Sequence, residues 1–193
     1  MDVLPFLNLI ENLKTTPRTG WINEHIRNPE SIADHMYRMA IITMLCTDPA
    51  LDKARMMKIA VVHDMAEAIV GDITPLSETT KAEKQALELG AMVRICQDLL
   101  PASQRQTADE LMALFLEYEH KTSPEARFVK DVDKYELVLQ TFEYERAGRV
   151  KRRLDDFVGS SRQIVHPLVR SWCDEVLAAR EAWWNEQGGE ASL

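Results

Sequence analysis

Residues 59–69 read IAVVHDMAEAI, and wound into an α-helix this stretch is apolar nearly all the way round. A helix of that kind belongs at the centre of a helical domain rather than on its surface. Yet it carries His63, Asp64 and Glu67. His63 and Glu67 are four residues apart and Asp64 and Glu67 are three apart, so on a helix all three project toward one neighbourhood. An isolated carboxylate taken out of water costs several kcal/mol, so a compensating partner is expected. A divalent cation is such a partner, because carboxylate oxygens and a neutral imidazole are its natural ligands.

The rest of the chain supports the same class of fold. Only seven of its 193 residues are glycine, and no alternating strand pattern persists. Apolar residues recur at helical spacing instead, which predicts an all-α protein. We expect one domain over 1–193, a helical bundle with its core at about 6–166, a C-terminal helix at about 167–187 and a frayed tail at 188–193. Helices are expected near 3–14, 31–46, 56–69 (led in by a short segment from Leu51 or Asp52), 79–100, 103–118, 124–146 and 167–187. Ser31 and Asp34 have the spacing of a capping box, with Asp in place of Glu. Gly71 is expected to stop the 56–69 helix, and GDITP, residues 71–75, to form a loop.

A formal net charge of −8 disfavours binding to nucleic acid polymers or to anionic membranes. An anionic substrate would therefore need a metal or a local basic pocket. Cys46, Cys96 and Cys173 are far apart and form no CxxC pair, which fits reduced thiols. The N-terminal stretch lacks a basic start followed by a long apolar run, and no segment reaches ~18 uncharged apolar residues. A cytoplasmic protein without a membrane span is the expectation.

Two other stretches offer ligands for an ion at His63 and Asp64. ESIADHMYRMA supplies His35, and RFVKDVDKYELVLQ supplies Asp131 and Asp133. The last two lie about 200° apart around a helix, so both cannot face one metal. Three neighbouring helices could close this set around one ion and leave positions for water and substrate. The absence of thiolates favours Mn, Co, Mg or Fe over a structural zinc. His25, His120 and His166, the basic run VKRRL, and Trp172, Trp183 and Trp184 read as structural or solvated features, the tryptophans as packing on the core or on a partner subunit.

His35, the doublet His63-Asp64, and Asp133 resemble the H…HD…D signature of the HD-domain superfamily of metal-dependent phosphohydrolases. PRTGW, ESIADHMYRMA, HDMAEAIVGDITP and EARFVKDVDKYE resemble its 5′-deoxynucleotidase branch more closely, over about residues 6–166. The resemblance implies removal of the 5′-phosphate from deoxyribonucleoside 5′-monophosphates, with His35, His63, Asp64 and Asp133 binding the metal. It selects Asp133 because the family's aspartate precedes a KYE-like element. Glu67 and Asp72 match the family's two catalytic acids. Glu67, Asp72 and the backbone carbonyl of Ile73 also match a second ion described in some members, so the two roles compete for the same carboxylates.

Arg18 and Trp21 match an Arg and a Trp set against the substrate; the bacterial branch has these adjacent, whereas here Thr19 and Gly20 intervene. The implied cofactors are one or two divalent ions, Mn2+, Co2+ or Mg2+, and the implied assembly is a homodimer. The main alternative is an HD hydrolase of another nucleotide or phosphorylated metabolite. Guanosine tetraphosphate hydrolases carry H-D-x-x-E-D, and Ala68 here replaces the final Asp. Triphosphohydrolases are usually much longer, a di-iron oxygenase would need more core histidines, and a non-catalytic binding protein would not need Glu67 and Asp72.

Overall fold

The computed structural model describes residues 2–74 and 76–190. Pro75 of the expected loop and the last three residues of the expected tail lie outside them. The helices are α1 (Leu4–Thr15), α2 (Thr19–Asn23), α3 (Ile32–Met44), α4 (Lys53–Val62), α5 (Glu67–Val70), α6 (Lys81–Arg94), α7 (Arg105–His120), α8 (Pro124–Arg146), α9 (Asp155–Val158) and α10 (Pro167–Glu190). Among the described residues there is no strand, only an isolated bridge between Pro17 and Ser31. The fold is all-α, and no described helix is long and apolar enough to cross a membrane.

Side chains fix where several helices begin. Ser31 accepts from the Asp34 N–H while the Asp34 carboxylate accepts from the Ser31 N–H, the capping box expected from their spacing. Asp52 accepts from the N–H groups of Ala54 and Arg55 and starts α4. Thr80 and Glu83 form a second capping box at the head of α6. A π-helical turn, Ile95–Leu99, carries α6 on toward Pro101.

The continuous helix expected over 56–69 is instead two helices. α4 ends at Val62, residues 63–66 form a turn, and α5 resumes at Glu67. Within the turn Met65, Glu67 and Ala68 donate to the carbonyls of Val62, Asp64 and Met65, each three residues back, which winds the chain tighter than an α-helix. The His63 ring engages the Ala60 carbonyl at 2.8 Å. Gly71 then ends α5 with φ +73°, a left-handed conformation that glycine adopts without steric cost.

Two compact units divide the chain, one up to Arg127 and one from Phe128. In the first, α3 packs on α4, α1 on α3 and α5, α4 on α7, and α5 on α6. Leu13, Ile32, Met36 and Ala68 form a buried cluster, joined by Leu9, Ile10 and Ala33. The Asn12 amide donates to the Ala68 carbonyl at 2.9 Å and ties α1 to α5. Arg18 N–H donates to Glu30 O and Ile32 N–H to Thr16 O, so the strap before α2 runs beside the head of α3.

In the second unit Glu145 is fully buried and fully engaged. It receives Arg180 through two hydrogen bonds of 2.7 and 2.8 Å, the Trp184 indole N–H at 2.9 Å and the Leu154 N–H at 2.6 Å. These bonds hold α8, α10 and the segment before α9 together. Asp131 accepts from the N–H groups of Val165 and His166, both at 2.8 Å, and so caps the entry to α10. Trp172 packs near Tyr135, and Trp183 lies against Phe142 and Trp184.

Candidate metal centre

His35 projects from α3 and is fully buried. His63 caps α4, and Asp64 opens the turn after it. One ligand atom from each lies within 4.8 Å of the others. Asp64 Oδ2 is 3.1 Å from His63 Nε2 and 3.9 Å from His35 Nε2. The His63 ring is held on one side by Tyr118, 4.6 Å between centroids. Its contact with Ala60 sets the tautomer: a carbonyl only accepts, so Nδ1 carries the proton. Nε2 is thereby turned toward Asp64, buried and without a hydrogen-bond partner. A backbone carbonyl fixing one ring nitrogen so that the other can ligate is the arrangement usual at metal-binding histidines.

The charges agree. Burial alone would raise the Asp64 pKa, but His63, Arg18 and His35 hold it well below the usual carboxylate range. Asp64 is therefore anionic. Glu67, at the head of α5, is pushed up to about 10 by burial and by the charges of Asp64 and Asp72, with Arg18 and Lys84 opposing. Its Oε2 is buried without a hydrogen-bond partner. Two imidazoles, an ionised carboxylate and a second carboxylate short of positive charge fit a hard or borderline divalent cation. The three cysteines are buried and free, and none belongs to this cluster.

The remaining predicted residues fall around it unevenly. Arg18 Nη1 donates to Asp64 Oδ2 at 3.2 Å. Asp72 Oδ2 accepts from the Thr19 N–H at 2.7 Å, and the Thr19 hydroxyl donates to the Asp72 carbonyl at 2.8 Å. The Ile73 carbonyl accepts from Lys84 Nζ at 2.8 Å. Trp21 is 1% exposed, and its indole N–H donates to Glu30. It therefore packs beneath the turn that carries Arg18. Asp133 lies half-buried on α8 in the second unit. Asp131, its sequence rival, is committed to the entry of α10.

Sequence reasoning missed Thr19, Lys84 and Tyr118. Thr19 and Asp72 are 53 residues apart and Lys84 is 11 from Ile73, so no local pattern links them. For Tyr118 the only signal was its place in an apolar helical stretch.

The family model described as "HD domain" matches residues 10–172. The protein named 5'-deoxynucleotidase hdd1 of Schizosaccharomyces pombe is 53% identical over 184 residues, covering 95% of this chain and 93% of its own. The human protein named 5'-deoxynucleotidase HDDC2 is 45% identical over 180 residues, covering 93% and 86%. Among solved structures, the PH0347 protein of Pyrococcus horikoshii superposes with a TM-score of 0.69 at 31% identity, covering 91% of this chain and 96% of that one. With its fold, its His-His-Asp cluster and these relatives, the chain belongs to the HD-domain family.

Proposed function

We infer that this chain is a 5′-deoxynucleotidase, a hydrolase that splits deoxyribonucleoside 5′-monophosphates into deoxynucleoside and phosphate. The observation that carries the reading is the buried, unbonded Nε2 of His63 beside the anionic Asp64 and His35. The names of relatives at 53% and 45% identity supply the substrate class.

His35, His63 and Asp64 hold the ion in this reading, and the resemblance adds Asp133 as a fourth ligand. One Mn2+, Co2+ or Mg2+ ion, or two, supplies positive charge against the phosphoryl oxygens and acidifies water when bound. Arg18 presents a planar guanidinium beside the ligand cluster and grips phosphate oxygens, which a chain of net charge −8 otherwise repels. With a cation's charge beside it to favour the ionised form, Glu67 would orient the attacking water and take its proton. Asp72, steadied by Thr19, assists it or returns a proton to the leaving 5′-oxygen. The P–O5′ bond breaks as the water oxygen bonds to phosphorus, and the proton that Glu67 removes from the water passes, through Asp72 or solvent, to the leaving 5′-oxygen. Glu67, Asp72 and the Ile73 carbonyl alternatively ligate the second ion. Trp21 acts behind Arg18, and a homodimer is part of the same reading.

The test offers the chelator-stripped chain dAMP and AMP with Mn2+, Co2+, Mg2+ or Zn2+ restored, and measures released phosphate. Phosphate from dAMP and not from AMP supports the reading. Release from neither with any ion overturns it, and release from both moves the substrate to nucleotides more broadly.

A further inference from the structure

Lys84 stands in the first turn of α6, with its ammonium bonded to the Ile73 carbonyl at 2.8 Å and 3.4 Å from Glu88 Oε1. Its ammonium thus stands between a backbone carbonyl and a carboxylate, the two acceptors that hold it. Asp64 is bonded to Arg18, Asp72 to Thr19 next to it, and Ile73 to Lys84, so the acidic side chains here are flanked by two cations, Arg18 and Lys84. Arg18 is bonded to Asp64 and leans toward the histidine cluster. Lys84 serves the other end, where Glu67 keeps a buried oxygen without a hydrogen bond and a backbone carbonyl faces a positive charge. A carbonyl that already binds one cation, beside the acidic Asp72, offers the donors a divalent ion would seek.

We propose that Lys84 is the built-in counter-cation of the Glu67–Asp72–Ile73 corner, and that it sets how weakly a second divalent ion binds there. The ammonium and such an ion use the same carbonyl and the same acidic field, and their like charges repel. Lys84 also acts as a positioning residue, because its bond to Ile73 holds the segment that carries Asp72. This inference rests on the reading in which the first ion sits at His35, His63 and Asp64.

Mn2+ is titrated calorimetrically into the chelator-stripped full chain, as wild type, Lys84→Met and Lys84→Gln. Lys84 is one-third exposed, so both variants are expected to keep the far-UV circular dichroism of the wild type. The tight first step should be the same in all three. The weaker second step should tighten at least about tenfold in both variants, or emerge only in them, because one nearby unit charge has been removed. Glutamine still offers the Ile73 carbonyl a donor, so equal tightening in both variants identifies the charge as the cause. A second step unchanged or weakened in both variants, or absent from all three proteins, overturns the proposal while leaving the first site standing. Absence of the first step from the wild type overturns both readings.

Discussion

Arg18 and Asp64 lie 46 residues apart in the chain and meet at 3.2 Å, Nη1 to Oδ2, on the oxygen that also faces His63 and His35. The group suited to phosphate and the group suited to a cation are therefore neighbours before any ligand arrives. Arg18 is placed there by backbone: its N–H is bonded to Glu30 O, and it caps α2 with extended φ −64° and ψ 119°. Arg18→Ala should lower kcat/KM by roughly 10²-fold while leaving Mn2+ bound. Arg18→Lys should recover only part of that loss, because an ammonium cannot make the paired contact of a guanidinium. Steady-state kinetics on dAMP with metal content measured in parallel checks both.

Asp64→Asn keeps the shape of the side chain and removes the charge that three cationic or ligating neighbours hold in place. Metal content and turnover should both fall to background, with the helical circular dichroism retained. Activity and metal content equal to wild type would reject Asp64 as a ligand.

Thr19 holds Asp72 by two bonds that substitutions can remove separately. Thr19→Val deletes the hydroxyl bond to the Asp72 carbonyl and keeps the N–H bond to its carboxylate. Thr19→Pro deletes both, at the first residue of α2, where proline is accepted and the preceding residue is already extended. We expect kcat to fall in the order wild type, Val, Pro, by about tenfold or more in the last, with KM for dAMP nearly constant. A change confined to KM would mean that Asp72 binds substrate rather than serving the chemical step.

Stability rests on a different place. Glu145 and Arg180 are both buried, and Arg180→Ala would strand the Glu145 charge at a cost of about 3–5 kcal/mol. Burial alone would raise the Glu145 pKa, but Arg180, Leu154 and Trp184 lower it below the ordinary carboxylate value. The unfolded state thus binds the proton more readily. The stabilisation is present above the unfolded pKa of about 4.3 and is lost as pH falls through the lower folded value. Urea midpoints from pH 7 down to 3 should fall in the wild type and fall less in Glu145→Gln.

The long helices were legible because their signals are local. The span of α8, Pro124–Arg146, follows from Pro124 and helical periodicity, and the Ser31–Asp34 capping box from spacing alone. The break at 63–66 was not legible, because apolar periodicity over 56–69 continues through it and the His63 contact with Ala60 leaves no trace in composition. α2 and α9, of five and four residues, are too short to carry a period. In the site, His63, Asp64 and Glu67 stood out as ionisable groups in an apolar run. His35 was a candidate ligand on sequence grounds, whereas only the family resemblance chose Asp133 over Asp131, and Thr19 and Lys84 act through contacts that only folding creates.

The account turns on one caged divalent ion. Crystals of the full chain grown with Mn2+, measured with X-rays at the manganese absorption edge, locate that ion directly. The expected result is an anomalous peak within bonding distance of His35 Nε2, His63 Nε2 and an Asp64 carboxylate oxygen. A manganese peak elsewhere on the chain, with those three side chains turned from one another, would contradict it.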